Sequence, residues 1–102
     1  MKFSWDLKKA KANRQKHKVS FEEAVTVFYD PLAKITNDPD YSDEEERLIL
    51  VGHSQQSNLL FIVHVYREHE EIIRIISARA ATTNETRRYY NNRQDGERTS
   101  SA

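Results

Sequence analysis

The 102-residue sequence contains no cysteine and only two glycines. The absence of cysteine excludes disulfides, thiolate metal sites and a cysteine nucleophile, and it agrees with a reducing compartment. Two glycines are too few for a glycine-rich phosphate loop, and no Gly-x-Ser-x-Gly motif occurs. The four histidines match no HExxH zinc motif. We therefore expect neither a metal nor any other cofactor.

Long apolar runs are also absent, and hydrophobic residues make up 37% of the chain. No run approaches the roughly 20 apolar residues of a membrane-spanning helix, and no signal-peptide pattern opens the sequence. We expect a cytoplasmic protein without membrane contact. The length suits one domain, which we place at residues 1–90. Residues 91–102 have almost nothing to bury, and we expect a disordered tail there.

The charges are unevenly distributed, although the formal net charge is zero. Residues 1–18 carry seven lysines and arginines against one aspartate, whereas residues 37–46 carry six acidic residues and no basic one. Zero net charge argues against a general nucleic-acid binder, but separated charge permits a basic face. The alternative is that these are ordinary solvated helix faces and an acidic loop.

The pattern of apolar residues and turn residues predicts an α+β fold. Asp6 and Ser20 are suited to cap two N-terminal helices, and Thr82 or Thr83 to cap a C-terminal one. Strands are predicted at residues 2–5, 32–36, 47–54, 59–66 and 72–80. Short turns between consecutive strands imply antiparallel pairing. We expect a small antiparallel sheet with the helices on one face and the other face partly open.

Two arginines in the last predicted strand, Arg74 and Arg79, require an explanation. Arginine stays charged in proteins, and burying it unpaired is costly. If Tyr66 pairs with Ile72, His64 lies opposite Arg74 on the same face. Arg79 then falls on the other face, unless a bulge or the strand end redirects it.

Each of these residues also has a purely structural interpretation. His64 can be a proton-transfer group, since its reference pKa is about 6.5, or a core histidine with one hydrogen bond. Tyr89 can simply pack its helix against the sheet. For Arg74 the structural alternative is an ion pair with a nearby glutamate: Glu46, Glu70 or Glu71.

Between about residues 3 and 90 the sequence carries an ordered set of short motifs. They are Trp-Asp with a following Lys and Asn, Lys-His-x-Val-Ser-Phe, Phe-x-Asp-Pro-Leu, Glu-Arg before a strand, a glycine, and a closing Arg-to-Tyr segment. The residues of these motifs are Trp5, Asp6, Lys9, Asn13, Lys16, His17, Val19, Ser20, Phe21, Phe28, Asp30, Pro31, Leu32, Glu46, Arg47, Gly52 and Arg74 to Tyr89. The ordered set resembles the BrnT toxins, a type II toxin family.

Two positions depart from the family pattern. Lys18 stands where a glycine is expected after the histidine, which can alter the turn between the helices. His53 stands where an arginine is expected after Gly52, which can weaken one basic contact.

The resemblance implies a RelE-like fold and a ribonuclease that arrests translation. It also implies a BrnA-type antitoxin that neutralises the toxin. Because that antitoxin carries a DNA-binding domain, operator DNA is expected to be contacted only through it.

Metal-independent RNA cleavage uses the neighbouring 2′-hydroxyl as nucleophile, which needs proton transfer and stabilisation of charge on the phosphate. The planar arginine fork suits phosphate oxygens, so we predict that Arg74 and Arg79 bind the scissile phosphate. His64 is the predicted proton-transfer group, with Glu46 or Tyr89 as the alternative. The predicted RNA-binding residues are Lys9, Lys16, His17 and Arg47.

Two other functions remain open at the level of sequence. The domain can be a non-catalytic module that binds protein or nucleic acid, with Arg74 and Arg79 held in salt bridges. It can also be a toxin relative that has lost activity through changes such as His53.

Overall fold

The computed structural model describes residues 1–39 and 46–91. It confirms the α+β class and the five predicted strands. The elements are β1 (Lys2–Ser4), α1 (Leu7–His17), α2 (Phe21–Val27), β2 (Lys34–Asn37), β3 (Arg47–His53), β4 (Leu59–Arg67), a 3-10 turn (Glu68–Glu70), β5 (Ile72–Ala80) and α3 (83–91). Most of the predicted acidic loop lies outside the described residues. So does the predicted tail, except residue 91, which is helical.

The strands form one sheet in the order β1-β5-β4-β3-β2. Strands β2 to β5 pair antiparallel as predicted, but β1 pairs parallel to β5, so the sheet is mixed. The expectation of a wholly antiparallel sheet is wrong at this edge. Short turns dictate antiparallel pairing only between consecutive strands, and most of the chain separates β1 from β5.

The predicted caps start the helices. The Asp6 carboxylate accepts hydrogen bonds from the backbone N–H groups of Lys8 and Lys9, at 2.8 and 3.2 Å. The Ser20 hydroxyl accepts one from the N–H of Glu23 at 3.0 Å. These bonds satisfy N–H groups that have no partner within the helix, which is why α1 and α2 begin where they do.

Helix α1 ends at Lys18, whose backbone is left-handed with φ 62°. The Lys18 N–H donates to the Arg14 carbonyl at 2.9 Å, which closes the helix. Only glycine adopts this conformation without strain. The lysine at this position therefore keeps the turn between the helices but strains it.

Replacing Lys18 with glycine should stabilise the protein by about 1 kcal/mol, because the left-handed conformation costs a residue with a Cβ about that much. Lys16→Gly is the matched control. Lys16 is exposed inside α1, and glycine there should destabilise by about 1 kcal/mol. Urea unfolding of both variants checks the prediction, which fails if Lys18→Gly is destabilised like the control.

The hydrophobic core lies between the sheet and the layer formed by α1 and α2. Its fully buried side chains include Phe21 and Val27 of α2 and Leu60, Ile62 and Ile75 of the sheet. Close approach of the chain to β3 explains one of the two glycines. A Cβ built on Gly52 would lie 2.6 Å from the Cβ of Ala33, so no larger residue fits without a shift.

Asn13 is a buried polar residue on the face of α1 that meets β5. Its side-chain Nδ2 donates to the carbonyls of Val19 and Ala78, at 3.1 and 2.8 Å, and its Oδ1 accepts the Ala78 N–H at 3.1 Å. Strand β1 pairs with β5 only over Ile72 to Arg74. The Asn13 amide therefore satisfies the N–H and carbonyl groups of Ala78, which a neighbouring strand would otherwise pair.

The pairing of β4 with β5 differs from the prediction by one residue. Arg67, not Tyr66, lies opposite Ile72. As a result His64 lies opposite Ile75, and Arg74 lies opposite Val65. Side chains alternate between the two faces of a strand, so His64 and Arg74 occupy opposite faces of the sheet. The predicted His64–Arg74 pair is therefore wrong.

A bulge between Val63 and His64 shifts the pairing again further along β5. Beyond it, Arg79 lies opposite Phe61. Since Phe61 and Val65 are four residues apart on β4, Arg74 and Arg79 lie on the same face of the sheet. The sequence prediction allowed this arrangement only if a bulge or the strand end redirected Arg79, and a bulge is present.

His64 belongs to the core under the helices. It is 2% exposed, and its ring packs edge-to-face against Phe28 with centroids 4.9 Å apart. Its Nδ1 has no hydrogen-bond partner within the described part of the chain. Burial lowers the pKa of His64, and a hydrogen bond with the backbone of Ile62 opposes this to a smaller extent. His64 is thus a neutral core residue.

The buried His64 should make stability depend on pH. Because its folded-state pKa lies below the unfolded value of about 6.5, the unfolded chain binds the extra proton. Stability is then complete above pH 6.5 and falls as the pH drops through the folded pKa, by up to about 1.4 kcal/mol per pH unit.

Urea unfolding between pH 7.5 and 5 measures this dependence. A His64→Leu variant should lose this part of the pH dependence, whereas His69→Gln, at an exposed position, should keep it. Equal slopes for wild type and His64→Leu would show that His64 titrates normally in the folded protein.

Candidate functional site

The sheet face opposite α1 and α2, which we call the open face, has an apolar centre. Strand pairing places its side chains in rows across the strands. The central apolar residues are Ile49, Val51, Phe61, Val63 and Val65. Helices α1 and α2 leave this face uncovered, and α3 borders it at one end, so the three helices do not all lie on one face as expected. Ile49 and Val65 are buried, whereas Val51, Phe61 and Val63 are partly exposed and can accept an aromatic or apolar group.

Basic residues end two of the rows on the open face. One row runs Lys34–Val51–Phe61–Arg79, and we call it the Arg79 row. The other runs Arg47–Val65–Arg74, the Arg74 row. The rows are four residues of β4 apart, or about 13 Å along the strand. The open face therefore combines an apolar centre with positive charge at two separate levels.

A cleft of about 610 Å³ lies at the Arg79 end of the open face, between the sheet and α3. Its floor is apolar and its rim is mainly polar or charged. The lining residues are Lys34, Thr36, Asn37, Asp38, Pro39, Ile49, Val51, Phe61, Val63, Arg79, Glu85, Arg88 and Tyr89.

Arg79 is held in a fixed position inside this cleft. Its Nη1 and Nη2 donate to the two carboxylate oxygens of Glu85, at 2.7 and 2.9 Å. Nη1 also donates to the Ala80 carbonyl at 3.2 Å. The guanidinium carbon lies 4.0 Å from the centre of the Phe61 ring, in cation–π contact. Two different neighbours thus determine the orientation of the guanidinium plane.

Glu85 is itself fixed by the start of α3. The Thr82 N–H donates to Glu85 Oε1 at 2.9 Å, and the Glu85 N–H donates to the Thr82 hydroxyl at 3.1 Å. This is a capping box, and it confirms Thr82 as the predicted cap. The hydrogen bonds from Arg79 lower the pKa of Glu85, and the carboxylate in turn raises the pKa of Arg79. The pair is therefore charged at neutral pH.

Arg74 has a different environment from Arg79. Its nearest hydrogen-bonding partner is the Ser4 hydroxyl on β1, at 3.5 Å, which is a weak contact. Within the part of the chain that is described, no ion pair joins Arg74 to the glutamates proposed for it, Glu46, Glu70 and Glu71. The two arginines share a face but have different partners.

The other predicted catalytic residues are spread over the molecule. His64 is on the helix side of the sheet. Glu46 is exposed and lines a shallow depression with Val65, at the Arg74 end of the open face. Tyr89 lines the cleft but is only 3% exposed, and its hydroxyl donates to the Leu32 carbonyl at 3.1 Å. Of the three, Glu46 lies at the level of Arg74.

The predicted RNA-binding residues fall on both sides of the sheet. Arg47 belongs to the Arg74 row of the open face. Lys9, Lys16 and His17 are on α1, which packs on the opposite side. The basic N-terminal segment and the two strand arginines therefore do not form one continuous face.

Several residues of the site were missed from sequence. Lys34, Phe61 and Arg88 line the cleft. Each is a single residue in its own element (a short strand, an apolar strand and a polar helix), and none belongs to a recognisable sequence motif. His53 was singled out from sequence only as a departure from the family pattern. In the structure its Nε2 lies 2.9 Å from the Tyr90 hydroxyl, and its backbone N–H donates to the Asp30 carboxylate at 2.8 Å.

Within residues 1–39 and 46–91, no group of three or more histidine, aspartate or glutamate side chains is placed to hold a metal ion. No helix in the described ranges is long and apolar enough to cross a membrane.

The fold and the open face define a small α+β protein with cationic groups around an apolar sheet surface, an arrangement suited to a polyanion that carries flat rings. Comparison with known families makes this specific. The family model described as the ribonuclease toxin BrnT of type II toxin–antitoxin systems matches residues 5–85. The chain belongs to this family of ribonuclease toxins, and membership implies an antitoxin partner.

A solved structure agrees with the family assignment. The chain is similar to the Brucella abortus ribonuclease toxin BrnT, determined at 1.1 Å resolution, with a TM-score of 0.62 and 22% sequence identity. The match covers 81% of this chain and 99% of the Brucella chain. At this identity the likeness establishes the fold. A search of curated proteins finds no match.

Proposed function

We propose that this protein is a toxin that cleaves RNA bound across its open face and so inhibits translation. The observation that carries the proposal is the pattern of that face, with cations in the Arg79 and Arg74 rows around an apolar centre. Single-stranded RNA offers phosphates for the cations and flat bases for the apolar surface. The helix layer on the other side has cations but a buried apolar face.

In the proposed mechanism the neighbouring 2′-hydroxyl gives up its proton and attacks the phosphorus without a metal ion. The P–O5′ bond breaks, which leaves a 2′,3′-cyclic phosphate, and the departing 5′-oxygen takes up a proton. Arg74 binds the scissile phosphate, because its guanidinium group has only a weak contact to give up. Arg47, in the same row, binds the RNA backbone beside it. Charge that develops on the phosphate oxygens is thereby stabilised by a positioned arginine fork.

Proton transfer is assigned to Glu46 rather than to His64. Glu46 lies at the Arg74 end of the open face, whereas His64 lies behind the sheet with no path to RNA there. Tyr89 remains a weaker candidate, since its hydroxyl is already bonded to a backbone carbonyl. Arg79 can act as a second phosphate ligand only by exchanging Glu85 for the phosphate.

We further propose that the antitoxin is a BrnA-type protein with a DNA-binding domain, and that it neutralises the toxin by covering the open face. Operator DNA is then contacted through the antitoxin alone. Family membership supports this partner, and occlusion of the RNA surface is the simplest route to inhibition.

The mechanism is tested with purified toxin and a short RNA. Cleavage should proceed unchanged in excess EDTA, and the 5′ product should end in a 2′,3′-cyclic phosphate. A single 2′-deoxy substitution at the cleaved nucleotide should abolish cleavage, while the same substitution elsewhere should not. Loss of activity in EDTA would show that the reaction needs a metal ion.

The second candidate is a non-catalytic binding module. The bidentate ion pair between Arg79 and Glu85 favours this second candidate, because a non-catalytic module was expected to hold the strand arginines in salt bridges. Such a module, or an inactive toxin relative, would bind RNA and leave it intact. Gel-shift and cleavage assays on the same RNA, without antitoxin, distinguish it from the enzyme.

A further inference from the structure

We propose that Arg79 presents the flat face of its guanidinium group to a nucleobase, so that the cleft beside α3 is a base-binding subsite. This inference rests on the proposed RNA substrate and deepens it. It replaces the predicted role of Arg79 as a ligand of the scissile phosphate.

The edge of the Arg79 guanidinium group is already used. Both terminal nitrogens donate to Glu85, and Nη1 donates to the Ala80 carbonyl as well. Glu85 cannot easily move away, because the capping box with Thr82 fixes it to the start of α3. A phosphate would have to displace a charged and preorganised partner to reach this edge.

The flat faces of the guanidinium group are less fully used. The guanidinium carbon lies over the Phe61 ring, 4.0 Å from the ring centre. The Arg79 side chain is still 32% exposed and is one of the residues that line the cleft, so part of its surface is accessible from the cleft. Arginine planes stack readily on nucleobases in single-stranded RNA. A base in the cleft would complete a stack of Phe61, Arg79 and base.

The cleft has the size and lining that a base requires. Its volume of about 610 Å³ is within the usual range for small-molecule sites. Ile49, Val51 and Val63 provide an apolar floor. Thr36 and Asn37 on β2 provide groups that can hydrogen-bond to a base edge.

Charge at the cleft rim matches the rest of a nucleotide. Lys34 and Arg88 line the cleft and can contact the phosphates that flank a bound base. The Arg74 row lies about 13 Å away along β4. The base in the cleft therefore belongs to a nucleotide near the cleaved bond, and the subsite would contribute to the RNA sequence preference of the toxin.

The test is a double-mutant cycle between the base and Arg79. The RNA is a short 2′-O-methyl oligonucleotide, which cannot be cleaved, with an abasic site moved along it one position at a time. For the wild type, one abasic position should weaken binding about tenfold, the expected loss of one stacked base. For Arg79→Lys, which keeps the charge but not the plane, the same abasic site should cause no further loss.

Fluorescence gives an independent readout. 2-Aminopurine at the sensitive position should be quenched on binding wild type but not on binding Arg79→Lys. Arg87→Lys, on an exposed part of α3 outside the cleft, is the matched control and should behave like wild type. If Arg79→Lys does not fold by circular dichroism, Phe61→Leu tests the same stack and should lose the same quenching.

Glu85→Gln separates the base-stacking role from a phosphate role. If Arg79 stacks, loss of the carboxylate loosens the plane and reduces quenching. If Arg79 is a phosphate ligand held back by Glu85, the variant should bind RNA more tightly with quenching unchanged, which would overturn the proposal. If the wild type binds RNA but no abasic position weakens binding, the base-binding subsite is overturned and the proposed function is not. If the wild type fails to bind RNA, the proposed function is overturned as well.

Discussion

Replacing Asn13 with alanine should lower the free energy of unfolding by about 3 kcal/mol. The substitution removes three hydrogen bonds in a buried site and leaves the Ala78 N–H and the carbonyls of Ala78 and Val19 without partners. Each buried polar group left unsatisfied costs about 1–3 kcal/mol. Asn13→Asp should also destabilise strongly, because a carboxylate cannot donate to either carbonyl.

Gln15→Ala is the matched control for Asn13→Ala. Gln15 is an amide residue on the same helix but is exposed, and its substitution should change stability by no more than about 0.5 kcal/mol. Urea unfolding of the three variants provides the comparison. A loss below about 1 kcal/mol for Asn13→Ala would mean that water or a backbone shift replaces the lost bonds.

Replacing Arg74 with alanine should slow RNA cleavage about a hundredfold without unfolding the protein. The reason is the loss of one preorganised contact to the phosphate, whose removal typically costs a factor of that size. Arg74 is half-buried at the edge pairing of β5 with β1, where only the weak Ser4 contact is lost, so stability should change little. Single-turnover cleavage of a short RNA gives the rate.

Lys11→Ala is the control for Arg74→Ala. Lys11 is an exposed cation on α1, on the opposite side of the sheet. Its substitution removes one surface charge that salt screens, so the cleavage rate should stay within about twofold of wild type. A folded Arg74→Ala variant that cleaves at the wild-type rate would remove Arg74 from the active site.

The helix starts and the strands could be predicted because their signals are local. Asp6, Ser20 and Thr82 each cap a helix through a side chain that reaches N–H groups two or three residues away. The apolar runs of β4 and β5 are long enough to mark strands by themselves. The parallel edge strand β1 was not predictable in direction, since its partner lies at the far end of the chain.

The strand register could not be predicted because one residue in the turn decides it. Glu71 takes a left-handed conformation with φ 55° and closes the turn after Glu70. A glutamate gives no sign of this, unlike glycine or asparagine. Ile72 therefore pairs with Arg67, one residue further along β4 than the expected Tyr66, and His64 and Arg74 fall on opposite faces of the sheet.

The site was only partly predictable for a similar reason. Arg74 and Arg79 were conspicuous as charges in an apolar strand, but the bulge that brings them to one face has no sequence signal. The basic residues of α1 were equally conspicuous in the charge count. Their distance from the open face follows from the packing of α1 on β5 through Ala10 and Asn13, which composition does not reveal.

The most direct test of the central claim, that RNA binds the open face, is an NMR titration of the labelled protein with a non-cleavable 2′-O-methyl RNA. The methyl groups of Val51, Val63 and Val65 should shift with increasing RNA, while those of Ala10 and Ala24 on the helix side should stay unchanged. Shifts confined to α1 would contradict the claim and would move the RNA site to the basic helix.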